Sequence, residues 1–264
     1  MKYTKIVNKG TIIHRSNFDS IGEFLTYLEE TSVNRFFKDK SLGSESYGES
    51  WSGTNTLDEA KDLLQHGWMP DSEKLKKQLK LSNTVQAQGQ RKMPVYGMAG
   101  YQASVPRYLN GIPTAMINSK FVPVKKKVIT ITKDITYDSS WSETKIIDEA
   151  IKALQIVQAL EVGGLRIKLN IYLGTGANNE QIQMKLCIKQ PDERMNFSKL
   201  AFPLGHPAML RRFLFAFIER HQEVNTSYYS RGYGYPVPIV AEKDEYILPH
   251  MIDNPEQFIA KLLK

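Results

Sequence analysis

VITITKDITYDSSWSETKIIDEAIKALQIVQALEVGGLRIKLNIYL, residues 128–173, decides the fold. It opens with Val128, Ile129, Ile131 and Ile135 set among threonines, β-branched residues that suit the pleated backbone of a strand. From Glu143 to Glu161 the apolar residues Ile147, Ala150, Ile151, Leu154, Val157 and Leu160 recur every three or four positions, with Glu149, Lys152, Gln155 and Gln158 on the other face. That period belongs to an amphipathic helix. Gly163 and Gly164 end it. Leu165, Ile167, Leu169, Ile171 and Leu173 then alternate with Arg166, Lys168, Asn170 and Tyr172, as in a strand with one buried face.

Working towards the C-terminus, GTGANN (174–179) reads as a hairpin turn leading into a second alternating strand, Gln181–Lys189. HPAMLRRFLFAFIERH (206–221) has Pro207 at a first helical position and is apolar on most sides, which predicts a largely buried helix. Val237–Val240 and Tyr246–Ile252 are strand candidates. Asp253 and Glu256 form a capping box for a last helix. Residues 128–264 therefore read as an α/β domain, a mixed sheet flanked by helices with some strands parallel.

Working the other way, residues 1–127 read as an irregular α+β region packed on that domain. Phe18, Ile21, Phe24, Leu25 and Leu28 predict a short helix, and the Ser- and Gly-rich stretch Lys38–Asn55 a loop. Thr56 and Glu59 cap a helix that stops at Gly67, and Ser72–Leu81 reads as another. Glycines and prolines break Ser82–Lys127 into loops with short strands.

Composition narrows the class. With 264 residues the chain is one large domain or two small ones, and 41% hydrophobic and 24% charged residues exclude a collagenous, low-complexity or wholly disordered protein. Lys and Arg number 35 against 28 Asp and Glu, a net charge of +7 that favours polyanions. The single cysteine, Cys187, excludes an intrachain disulfide and a multi-cysteine zinc site and suits a reducing cytoplasm. No signal-peptide pattern and no run of about 18 apolar residues is present, so neither a cleaved leader nor a membrane span is expected.

Two groups of residues are candidates for function. DSSWS (138–142) lies between a strand end and the longest helix, where Asp138, Ser140 and Ser142 at alternate positions can offer a carboxylate and two hydroxyls to a hard cation such as Mg²⁺. The same residues read equally as a helix cap, since Ser-Trp-Ser-Glu is a capping box. The second group is basic and aromatic. Lys125, Lys126 and Lys127 in VKKKV, the lysines from 74 to 92, and Tyr229, Arg231 and Tyr233 in YYSRGYGYP could neutralise phosphates and stack on bases of DNA or RNA. GTG at 174–176 lacks the third glycine and the following helix of a phosphate loop. The five histidines are scattered, and no nucleophile, base and oxyanion arrangement is visible.

The Asp-x-Ser-x-Ser loop after a strand, with the helix and antiparallel strand pair that follow, resembles the metal-binding start of von Willebrand factor type A domains. In that family a Thr and a further Asp complete the site; no Thr-Asp-Gly-like segment follows here, and Thr175, Thr226 and Asp244 are the available side chains. SWSGTNTLDEAKDLLQHGW (50–68), GYQASVPRYLNGIPTAMIN (100–118) and LAFPLGHPAMLRRFLFAFIER (200–220) together resemble the ordered blocks of an uncharacterised family of proteins encoded by tailed bacteriophages. That resemblance implies a protein of the bacterial host cytoplasm or the virion. The expected function is a non-catalytic accessory or structural protein that binds a phage or host protein, through a metal-dependent type-A-like face. Nucleic-acid binding in replication or packaging is the alternative, and a metal-dependent hydrolase the third reading.

Overall fold

The structure is a computed structural model that describes residues 1–38, 40–46, 48–69, 90–123, 127–138, 140–224, 233–239, 242 and 244–263. The helix expected over Ser72–Leu81 lies outside them, as do Lys125, Lys126, Tyr229 and Arg231.

The chain begins with a hairpin, β1 (Lys2–Asn8) and β2 (Thr11–Phe18), followed by helix α1 (Ile21–Glu30). Two helical turns, α2 (Gly43–Ser46) and α3 (Glu49–Ser52), interrupt the stretch expected to be loop, and α4 (Leu57–His66) follows on its Thr56 cap. Next come β3 (Gln90–Gly97), β4 (Gln102–Ala103), α5 (Val105–Leu109) and β5 (Met116–Pro123). Then β6 (Val128–Asp134), α6 (Glu143–Val162), β7 (Arg166–Ala177) and β8 (Glu180–Lys189) occupy the segments that periodicity assigns to them. Helix α7 (Phe197–Gly205), a π-helix (Met209–Leu214), α8 (Phe215–Arg220), β9 (Tyr235–Pro236), β10 (Glu245–Leu248) and α9 (Pro255–Leu263) complete the chain.

Strands β1-β2-β8-β7-β6-β10 form one mixed sheet in that order, with β9 added at the end of β7. β6 is parallel to β7 and to β10, whereas β8 runs against β7. This is an α/β architecture consistent with a von Willebrand A-like, Rossmann-type layout. Ile167, Leu169, Ile171 and Leu173 point to the face packed beneath the helices, where Phe18, Phe24, Phe213 and Phe217 join them in one core. The opposite face is polar and internally paired. Arg15 donates to Gln183, Lys185 meets Glu245 at 2.9 Å and Glu242 at 3.2 Å, and Asn170 donates to Thr132 at 3.2 Å, a ladder of polar contacts crossing the sheet from β2 to β10.

Several details differ from expectation. β1 and β2 extend the sheet from within the region read as irregular; their alternation is hidden because the inward side chains of β2 include His14 and Ser16, both buried. The hairpin after β7 turns on Asn178 and Asn179, at φ 48° and 62°, while the glycines before them remain in the strand. Tyr235 and Pro236 pair just before the strand expected over Val237–Val240, of which the described residues 237–239 form no strand and Val240 lies outside the described residues, and β10 stops at Leu248 because Pro249 has no N–H to donate. The helix expected over 206–221 is preceded by a separate α7, capped by Asn196, which ends where His206 turns extended ahead of Pro207. Its first part widens into the π-helix.

Candidate functional site

β6 ends at Asp134 beside Tyr172 of β7, which runs on to Ala177, and a cleft of about 260 Å³ opens past the carboxyl end of β6, lined among others by Tyr137, Asp138, Gly174, Thr175, Arg211 and Tyr233. Open α/β sheets present ligands at such a position. Asp138 is exposed, and its Oδ1 accepts from Ser140 N at 2.9 Å, an interaction that holds its carboxyl below the usual carboxylate range. Ser142 is the N-cap of α6, its Oγ accepting from Lys145 N at 3.4 Å. Trp141 between them stacks on Tyr137, with ring centroids 4.7 Å apart. The loop thus links Asp138 to Ser140 and sets Ser142 on the helix end, and a carboxylate oxygen and a hydroxyl of that set accept from backbone N–H groups.

Of the residues that would complete a cation site, Thr175 shares the cleft with Asp138 but has its hydroxyl engaged elsewhere, and Asp244 lies away from it. Thr175 Oγ1 donates to the Tyr233 carbonyl, Asp244 lines a groove with Lys168 and Asn170 of the polar sheet face, and Thr226 lies outside the described residues. Among the described residues no three His, Cys, Asp or Glu side chains converge, and Asp138 is the one acid lining the cleft. Among the described residues Asp138 therefore offers the only carboxylate to a cation at this cleft, and one of its oxygens already accepts from Ser140 N.

Tyr233 shares the cleft with Asp138, but its ring packs on Phe215 at 3.9 Å and Phe37 at 5.9 Å, and its hydroxyl donates to Glu219 at 2.5 Å. It is an anchor of the fold there. Lys127, exposed, precedes β6 and so lies at the opposite end of that strand from Asp138. Sequence reasoning missed the charged residues that build this end of the molecule. Arg211 is buried and donates to the carbonyls of Trp51 and of Trp141, the latter at 2.8 Å. Arg212 and Glu219 are also buried, tied to Thr54 and Ser44. Their signal was three charges inside a helix apolar on most sides, which requires buried partners.

A second surface stands apart from the sheet. β3, β5 and β4 form their own three-stranded antiparallel sheet, and this lobe carries α5 between β4 and β5. Gly100 passes so close to the Ile117 carbonyl that a Cβ would lie 2.2 Å from it, and Arg107 sits over the Tyr96 ring at 4.2 Å while donating to the Thr114 carbonyl at 3.1 Å. The lobe is therefore ordered by its own contacts, yet Met98 is 82% exposed, Leu109 77%, Tyr108 72% and Tyr101 68%. A monomer seldom leaves so many large apolar groups in water at one place.

A sequence profile described as a domain of unknown function, DUF7192, matches residues 7–263. The chain belongs to the DUF7192 family. The DUF7192 match spans the main sheet, the cleft and the lobe alike, so the lobe lies within the family's domain. No curated protein and no solved structure matches the chain.

Proposed function

We propose that this DUF7192 protein is a non-catalytic binding protein whose three-stranded lobe recognises a macromolecular partner, with the α/β body as its rigid support. The observation that carries this is the exposure of Met98, Tyr101, Tyr108 and Leu109 on a lobe held together by other residues. Aromatic residues, Met and Arg concentrate in the buried centres of interfaces, where Asp and Glu are scarce, and residues 94–119 contain Tyr, Met and Arg with no acid. The resemblance to phage-encoded blocks supports a setting inside an infected bacterial cell, in the cytoplasm or the virion. No described helix is long and apolar enough to cross a membrane.

The test is photo-crosslinking in cells from a benzoyl-phenylalanine placed at position 108, with the same group at Glu256 on α9 as control. The reading predicts a discrete crosslinked product from 108 that is absent from 256. Equal or absent crosslinking from both positions overturns it.

A further inference from the structure

Charge along the chain is unevenly spread. From Lys74 to Lys133 the sequence holds twelve Lys and Arg and no Asp or Glu. All 28 carboxylates lie elsewhere, where 23 Lys and Arg remain, so the positive charge of the protein is concentrated in the span that contains the lobe. The backbone register sharpens this. Gln90 pairs with Pro123, Lys92 with Phe121 and Met93 with Lys120, which brings Arg91, Lys92 and Lys120 to the root of the lobe, where the chain enters and leaves. Towards its far end the lobe exposes the three rings of Tyr96, Tyr101 and Tyr108, with Arg107 beside the first.

Basic residues at the root and open aromatic rings beyond them suit a ligand with phosphates along a backbone and unpaired planar bases. Resting on the reading of the lobe as the recognition surface, we infer that its partner is single-stranded nucleic acid, held by stacking on Tyr101 and Tyr108 and by phosphate contacts to Arg91 and Lys120, which the register places on one face of the sheet. A duplex hides the faces of its bases inside its stack and offers these rings nothing to stack on. An acidic protein would satisfy the charge and could cover the rings as the centre of an interface, but a single strand of nucleic acid matches the basic root and the open rings with one repeating chemistry. Stacking is tolerant of base identity, and the phosphate contacts make affinity salt-dependent.

The experiment is fluorescence anisotropy of the full chain with a labelled 20-nucleotide dT strand, a matched duplex, and phosphatidylserine vesicles as competitor, from 50 to 300 mM NaCl. The dT strand should bind at least tenfold more tightly than the duplex. Tyr101→Ala and Tyr108→Ala should each weaken it by about tenfold, a typical loss for one stacked base. Replacing Arg91 and Lys120 by Gln should lower the slope of log affinity against log salt by about one to two. Because both tyrosines are largely exposed, the variants should keep the wild-type circular dichroism. Absence of dT binding at 50 mM NaCl, binding indifferent to both tyrosine variants, or preference for the vesicles overturns the inference. If the crosslink from position 108 persists and leads to a protein, the lobe remains the recognition surface and only the nucleic-acid chemistry falls. If that crosslink is lost too, both readings fall.

Discussion

Arg212, wholly buried on the π-helix, donates its Nη1 to the carbonyl of Ser44 at 2.7 Å. Its Nε reaches Thr54 Oγ1 at 2.6 Å, and Ser44 in turn donates its N–H at 3.0 Å to Glu219, also buried, on α8. A Ser- and Gly-rich stretch that would otherwise be solvent loop is thereby fastened to the core by two buried charges.

Arg212→Met should therefore be costly, since it leaves the Ser44 and Thr54 carbonyls without their buried donor. A loss of about 2–4 kcal/mol is expected in urea unfolding, from stranded acceptors at about 1–3 kcal/mol each with partial relaxation. Amide exchange over residues 43–55 should rise first. A loss under 1 kcal/mol would show that the stretch is held by other contacts.

Stability should fall with acid in a defined window. His206 and His221 are buried, and burial lowers each from its ordinary 6.5 to about 4. Between those values the unfolded chain binds protons that the folded one refuses, so stability is complete above about pH 6.5 and declines as pH falls towards 4. From pH 7 to 5 each histidine should remove about 2 kcal/mol. Urea midpoints at the two pH values check this, and His221→Gln should flatten the dependence.

Gly174 is required by a neighbour. A Cβ there would lie 2.1 Å from the Tyr172 hydroxyl, which is buried and without a hydrogen-bond partner among the described residues. Gly174→Ala should cost about 1–3 kcal/mol from forced displacement. Tyr172→Phe, which discards only the unpaired hydroxyl, should be close to neutral. Gly174→Ala combined with Tyr172→Ala should lose less than the sum of the single losses, because removing the ring removes the clash. Additive losses would contradict the assignment.

At the strand-end loop, Ser142→Ala should cost about 1 kcal/mol as a lost N-cap. Asp138→Ala should lower the unfolding midpoint only slightly, because it gives up one exposed hydrogen bond from Ser140 N. Millimolar Mg²⁺ should not raise the wild-type midpoint. A rise seen in wild type and absent in Asp138→Ala would restore the metal site.

The central strand-helix-strand-strand run was legible because its inward residues are uniformly aliphatic, so period alone placed β6, α6, β7 and β8. The same method overlooked β2, where His14 and Ser16 point inward, and could not foresee α7, whose Pro203 lies inside the helix. Asp138 was placed correctly at the carboxyl end of β6, but what surrounds it depends on Trp51, Thr175 and Arg211, brought together only by the fold. Charge composition pointed to a polyanion, whereas the exposure of Met98, Tyr101, Tyr108 and Leu109 is invisible in a sequence that presents them as ordinary apolar residues.

The central claim is that these apolar side chains serve a partner and contribute nothing to folding. The direct measurement is a paired one on Met98→Ser/Tyr108→Ser/Leu109→Ser: its thermal unfolding midpoint, and crosslinking in cells from position 101. The midpoint should stay within about 2 °C of wild type, as for exposed surface substitutions, while the crosslinked partner is lost. A midpoint lowered by several degrees, or a crosslink that survives, would contradict it.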